Sequence, residues 1–143
     1  MDDFIKLLDK NLEYEKHGII GDTIYIYVHS TLEALECPYC GVMSSRCHSK
    51  YTRSFQDLPM QGKKTIIVLN NKKMFCDNPD CEHTTFAESF SFIKGKFKKT
   101  ERLINEIIQV SKNMSSVEAS NYLRKNVVRV GKSTICELLK KGV

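Results

Sequence analysis

The chain has no long apolar segment, and this absence excludes two classes of protein. No run approaches the roughly 20 apolar residues that a membrane-spanning helix needs. The N-terminus, from Met1 to Lys6, is acidic and lacks the apolar core of a secretory signal. The sequence therefore predicts a cytoplasmic protein, without membrane contact, in which cysteine thiols stay reduced.

The chain also has no tryptophan, no internal repeat and no segment of low complexity. Its aliphatic and aromatic content is ordinary, so its 143 residues are expected to fold as one domain or as two small ones. Prolines are scarce, and two of the three lie between closely spaced cysteines, where they favour turns.

Acidic and basic residues are unevenly distributed, although the overall charge is only +5. Residues 1–36 contain eight acids and three lysines, a net charge of −5, whereas residues 37–143 carry a net charge of +10. A basic segment of this size favours a polyanionic partner through phosphate contacts and counterion release. The alternative is a basic surface that keeps the protein soluble and binds no polyanion.

Four of the six cysteines form two closely spaced pairs. Two residues separate Cys37 from Cys40, and four separate Cys76 from Cys81. Such pairs present four thiolates to one tetrahedral zinc ion, which would be structural because no coordination position stays open. A disulfide framework would need an oxidising compartment, and a redox Cys-x-x-Cys motif would leave the second pair unexplained.

Two histidines are alternative zinc ligands. His48 lies between the cysteine pairs and His83 follows Cys81 by two residues, so either could replace one thiolate. Two complete cysteine pairs already fill a tetrahedral site, which favours four cysteines as the ligand set.

The first 90 residues show mainly strand patterns. A helix is predicted over residues 2–12, followed by a hairpin whose turn is Gly21-Asp22. Between the cysteine pairs, residues 49–55 and 64–75 are strand-like. Strands enclosed by two cysteine knuckles are typical of a zinc ribbon, in which the metal replaces a core that a small sheet cannot build.

From Thr100 onward the apolar residues follow a helical period. Thr100 is a plausible N-cap, and Ser115 with Glu118 forms a capping-box pattern at the start of a second helix. A third helix is predicted from Lys132 to a stop at Gly142. Three short helices with a tight connector before the last are typical of a helix-turn-helix, although a plain three-helix bundle gives the same pattern.

These patterns predict an α+β fold in which a small β-rich zinc ribbon precedes a C-terminal three-helix helix-turn-helix domain. The expected parts are an acidic helix and β-hairpin packing on the ribbon at 1–36, a zinc ribbon with four cysteine ligands at 37–90, a basic linker at 91–99 and the helix-turn-helix at 100–143.

In a helix-turn-helix, the N-terminal part of the last helix enters the major groove of DNA. This arrangement places Lys132, Ser133 and Glu137 towards base edges. Phosphate contacts are expected from basic residues that flank this helix or lie in the linker: Arg124, Lys125, Arg129, Lys140, Lys96, Lys98 and Lys99. A solvated hinge is the alternative for the linker lysines.

The ordered motifs resemble the N-terminal region of bacterial insertion-sequence transposases of the ISL-three type. The motifs are Cys37-Pro-Tyr-Cys-Gly41, Arg53-Ser-Phe-Gln-Asp57-Leu58-Pro59, Phe75-Cys76-Asp-Asn-Pro-Asp-Cys81 and Thr85-Phe86-Ala87-Glu88. The likeness covers roughly residues 15–141, and it implies a zinc ribbon and helix-turn-helix that recognise the terminal inverted repeats of a mobile element. Full-length family members continue into a catalytic domain of ribonuclease-H-like fold, so this chain is expected not to catalyse transposition.

Double-stranded DNA is therefore the expected partner, and no small-molecule substrate is expected. The alternative is a zinc-ribbon interaction module with only nonspecific DNA affinity, in which the acidic residues 1–36 mediate docking or formation of a homodimer. An enzyme is the least favoured class, because Asp57 and Glu88 are the acids nearest the ribbon motifs and have no second carboxylate to form an open metal site.

Overall fold

The computed structural model describes residues 1–93, 98–128 and 130–141. The elements in chain order are α1 Asp2–Leu8, β1 Leu12–Ile20, β2 Thr23–Ser30, β3 Leu35–Glu36, β4 Met43–Ser44, β5 Cys47–Met60, β6 Lys63–Phe75, β7 Thr85–Ala87, α2 Glu101–Ser111, α3 Ser116–Asn126 and α4 Lys132–Lys141. The α+β class is confirmed. The described residues form four helices, and a helix-turn-helix built from the last three stays a prediction.

The N-terminal hairpin forms around the predicted turn. Strands β1 and β2 pair antiparallel on either side of Gly21-Asp22, and Gly21 has a positive φ of 58° that suits this residue type. Helix α1 ends at Leu8 rather than at residue 12, because the chain is already extended at Asp9 and Leu12 begins β1 as a buried residue. The helical spacing of the apolar residues therefore overestimated this helix by about one turn.

The main sheet joins this hairpin to the two long strands between the cysteine pairs. Its order is β1-β2-β6-β5, with β7 also paired to β6. Strands β5 and β6 form an antiparallel hairpin that turns at Gln61-Gly62, where both residues have a positive φ (52° and 72°). Strand β2 pairs in parallel with β6, so the N-terminal hairpin continues the sheet edge to edge.

One core lies on a single face of this sheet. Alternate residues of β2 and β6 point into it, and α1 and two phenylalanines after β7 cover it. Its buried members are Ile5, Leu12, Ile24, Ile26, Val28, Phe55, Ile67, Leu69, Phe90 and Phe92. Phe92 packs edge-on against Phe55, with ring centroids 5.8 Å apart and an interplanar angle of 85°.

The predicted linker 91–99 is attached to the sheet at both of its described ends. Phe92 is 2% exposed in the core. At the C-terminal end of the linker, the backbone N–H of Gln56 donates to the Lys98 carbonyl (2.9 Å), and the N–H of Thr100 donates to the Gln56 carbonyl (2.9 Å). Residues 94–97, which include Lys96, lie outside the described part of the chain.

A second core is formed by the three C-terminal helices. Leu103, Ile107, Leu123, Ile135 and Leu138 are among its buried members. The predicted N-caps are observed: the hydroxyl of Thr100 accepts from the N–H of Leu103, and that of Ser115 accepts from the N–H of Glu118. The third helix starts at Lys132 as predicted, whereas the expected stop at Gly142 lies outside the described residues.

A buried carboxylate connects the sheet to the helices. Asp57 is 2% exposed. It accepts hydrogen bonds from the Thr100 hydroxyl (2.7 Å) and from Nε of Arg102 (2.7 Å), and its second oxygen accepts from Nη2 of the same guanidinium. The next residue, Leu58, packs against the helical core. These contacts hold the first turn of α2 against β5.

Replacing Asp57 with alanine is expected to lower the free energy of unfolding by about 3 kcal/mol, because breaking a buried ion pair leaves its partners without compensation. Urea denaturation of the wild-type and variant chains measures the change. Glu106→Ala, which removes an exposed acid from the same helix as Arg102, is the control and should change stability by no more than about 0.5 kcal/mol. Equal effects of the two substitutions would contradict the role assigned to Asp57.

Candidate metal centre and nucleic-acid interface

The four paired cysteines come together in one cluster at an end of the β5–β6 hairpin. The Sγ atoms of Cys37, Cys40, Cys76 and Cys81 all lie within 4.8 Å of one another, and those of Cys40 and Cys76 are 3.5 Å apart. Sulfurs around a tetrahedral zinc ion are about 3.8 Å apart, given Zn–S bonds of about 2.3 Å. The spacing and chemistry of the four donors therefore fit zinc.

The two knuckles are tight turns that aim backbone N–H groups at the sulfurs. In the first knuckle, the N–H of Gly41 donates to the Cys37 carbonyl (2.8 Å). Gly41 has a φ of 82°, which residues with a Cβ rarely adopt. Three thiols, those of Cys40, Cys76 and Cys81, each have a backbone hydrogen bond from the residue two positions ahead. Such bonds stabilise sulfur in its charged form, which is the form that binds metal.

The thiols also influence one another. The backbone hydrogen bond from Val42 lowers the pKa of Cys40 to about 7. At Cys76 the backbone hydrogen bond from Asn78 acts in the same direction, but burial and the neighbouring thiols outweigh it and raise the pKa to about 12. The thiol cluster therefore resists full ionisation. A dication among the sulfurs would remove this resistance, because it offsets the repulsion between thiolates.

Aromatic and ionic contacts attach the second knuckle to earlier parts of the chain independently of the sulfurs. The ring of Tyr39, inside the first knuckle, stacks on His83, with centroids 3.5 Å apart and an interplanar angle of 8°. Arg46 donates from Nε to Asp77 in the second knuckle (2.6 Å) and lies over the Phe75 ring. No sequence pattern predicted these pairs, because their members are distant in sequence.

Neither alternative histidine joins the cluster. His83 is occupied by its stack with Tyr39. His48 meets Phe75 edge-on, and its Nδ1 is 2.9 Å from the Ser49 hydroxyl. Within the described residues, the group of side chains that could hold a metal ion consists of the four cysteines alone.

The residues predicted to contact DNA lie mostly at the surface of the helical part. Lys132 and Ser133 are exposed at the N-terminus of α4, whereas Glu137 is half-buried. Arg124 and Lys125 are exposed in the last turn of α3.

The remaining predicted contacts differ in how much the structure describes. Lys140 and Lys98 are exposed. Lys99 is half-buried, and burial together with the charge of Lys64 lowers its pKa. Arg129, like Lys96, lies outside the described residues.

No helix in the described part of the chain is long and apolar enough to cross a membrane.

Comparison with known proteins gives one family. Residues 34–81 match the model of the zinc-finger of transposase IS204/IS1001/IS1096/IS1165. The matched segment is about a third of the chain and contains all four clustered cysteines. It confirms the resemblance to the N-terminal region of ISL-three-type transposases and, with the thiol cluster, supports structural zinc as the cofactor. No curated protein and no solved structure matches the chain.

Cys76→Ser is expected to reduce the zinc content of the purified chain well below one ion per molecule and to lower its thermal midpoint, because a structural zinc site supplies folding free energy directly. Elemental analysis and thermal denaturation measure the two effects. Cys47→Ser is the matched control, since Cys47 is exposed and lies outside the cluster. Wild-type protein that contains no zinc and keeps its fold in a strong chelator would contradict this assignment.

Proposed function

We propose that this chain is the DNA-binding portion of a transposase-like protein and that it recognises the terminal inverted repeats of a mobile element. The observation that carries the proposal is the match of residues 34–81 to a transposase zinc-finger, which spans the whole thiol cluster. The net charge of +10 over residues 37–143 supports a polyanionic partner.

In this proposal the metal and the helices have separate roles. Cys37, Cys40, Cys76 and Cys81 ligate zinc, which holds the two knuckles together and performs no chemistry. The last three helices act as a helix-turn-helix, with α4 as the recognition helix. Its exposed N-terminal residues, Lys132 and Ser133, approach base edges, and Glu137 lies one turn further along the helix.

Phosphate contacts fix the position of the recognition helix. Arg124 and Lys125 at the end of α3 and Lys140 near the end of α4 are exposed cations suited to this role. Lys98 is a further exposed candidate, and the half-buried Lys99 lies beside it. Arg129 and Lys96 are proposed on sequence grounds alone.

The proposed function is non-catalytic. Neither of the two acids closest to the ribbon motifs is free to bind a metal ion. Asp57 is hydrogen-bonded to Thr100 and Arg102, and burial of Glu88 raises the pKa of its carboxyl. Neither presents an open carboxylate to a divalent ion, and the clustered metal donors among the described residues are four thiols. A structural zinc site supports binding rather than strand cleavage.

A second candidate is a protein-interaction or dimerisation module. Several apolar side chains of the N-terminal part are exposed, with Leu7 at 77% and Ile20 at 73%. An exposed apolar surface favours contact with another protein or with a second copy of the chain. Self-association that Leu7→Ser and Ile20→Ser abolish, together with DNA binding that shows no sequence preference, would favour this candidate.

Incubation of the zinc-loaded chain with a random pool of duplex DNA at near-physiological salt tests the main proposal. Sequencing of the retained DNA is expected to show enrichment of one site, because base contacts discriminate by about 1–3 kcal/mol per pair. A site that matches repeats flanking the gene would identify the transposon end. Retention without enrichment would contradict sequence recognition.

Two lysine substitutions should separate base contacts from phosphate contacts. Lys132→Ala is expected to change which sequences are enriched, whereas Lys125→Ala should weaken binding to all sequences and reduce the slope of log K against log salt by about 1. Lys10→Ala, in the acidic N-terminal part, is the control. It should change neither the enriched sequences nor the salt dependence of binding. Equal effects of Lys132→Ala and Lys125→Ala on every sequence would contradict this division of roles.

A further inference from the structure

A groove separates the turn of the β5–β6 hairpin from the end of α3. Its volume is about 520 Å³, and its lining includes Gln56, Gly62 and Lys64 from the hairpin and Arg124 and Lys125 from the helix. The hairpin belongs to the sheet that carries the cysteine cluster, whereas the helix belongs to the C-terminal core. The two halves of the molecule therefore share this surface.

The charge of the groove is entirely of one sign. Three cations line it and no carboxylate does. Lys64, Arg124 and Lys125 are exposed, and none of them forms an ion pair with an acid in the described part of the chain. The neighbouring Lys63 differs, because its Nζ lies 3.8 Å from a carboxylate oxygen of Asp22.

One lining cation, Lys64, also repels a lysine outside the groove lining, Lys99. Lys99 is half-buried, and burial and the charge of Lys64 both lower its pKa. Like charges that are held close together without a counterion destabilise the folded state, and the binding of an anion relieves this repulsion. The groove is therefore suited to a ligand with several negative charges in a row.

The relative position of the groove walls is set by the fold before any ligand binds. Asp57 is bound to Thr100 and Arg102, and Leu58 packs into the helical core, so β5 and the helices are held together. The backbone of Gln56 is bonded on both sides to residues 98 and 100. A preformed site binds without the entropic cost of ordering its parts.

We infer that this groove holds the phosphate backbone of duplex DNA, so that the ribbon sheet and the C-terminal helices bind one duplex together. The inference rests on the proposed DNA-binding function and adds Lys64, with the side-chain amide of Gln56 as a neutral donor, to the contacts already assigned to α3. Duplex DNA carries one negative charge per about 1.7 Å of axis, so a backbone that crosses the groove meets cations from both walls.

The test is a fluorescence anisotropy titration of the zinc-loaded full chain with a labelled duplex of random sequence at several salt concentrations. Lys64→Gln is expected to weaken binding several-fold and to reduce the slope of log K against log salt by about 0.9, the value for one lost phosphate contact. The double variant Lys64→Gln with Lys125→Gln should reduce the slope by about twice as much.

Two further variants separate a specific contact from a general loss of charge. Lys63→Gln removes the same charge from the adjacent residue, which pairs with Asp22, and should leave the salt slope unchanged. Lys64→Arg keeps the charge and should restore wild-type binding. Circular dichroism should show the same fold for all variants, because Lys64 and Lys125 are exposed and Lys63 is partly exposed.

The outcomes distinguish this inference from the proposed function. If Lys125→Gln weakens binding while Lys64→Gln behaves as the wild type, the shared groove is overturned and DNA binding by the helices stands. If Lys63→Gln and Lys64→Gln have equal effects, the groove contact is likewise overturned. If the wild-type chain binds no duplex at any salt concentration, the proposed function fails together with the inference.

Discussion

The buried carboxylate of Asp57 is the contact on which the arrangement of the two halves depends. It belongs to a strand of the sheet, and its partners, Thr100 and Arg102, start the first of the three C-terminal helices. A buried charge is tolerated only when its hydrogen bonds are satisfied, so this interaction restricts where the first turn of α2 can lie. The same guanidinium also reaches the Phe4 carbonyl in α1 (3.5 Å).

The β5–β6 hairpin connects the metal centre with the basic groove. One end of β6 leads directly into Cys76, and the other end starts at the Gln61-Gly62 turn beside Lys64. A strand of 13 residues spans about 43 Å at about 3.3 Å per residue. Zinc therefore orders one end of this hairpin, whereas packing of Leu58 and the Asp57 contact order the other. The proposed binding of one duplex by both halves would require both ends of the hairpin to be ordered.

Several features were predictable because they depend on local conformation or on the spacing of metal-binding residues. The Gly21-Asp22 turn, the caps at Thr100 and Ser115 and the four-cysteine cluster all follow from local conformation or from ligand spacing. The predicted length of α1 was wrong, since burial of Leu12 in the sheet overrides the helical spacing of the apolar residues. The linker prediction did not foresee that Phe92 would be a core residue.

The sequence by itself determined the α+β class, the thiol donors and the basic character of residues 37–143, because composition, spacing and charge are properties of the chain before it folds. Only the tertiary structure decided the parallel pairing of β2 with β6, the stack of Tyr39 on His83 and the meeting of Lys64 with Arg124 and Lys125. These contacts join residues that are 40 or more positions apart. No local propensity encodes such pairs; they form where packing of the whole chain brings the surfaces together.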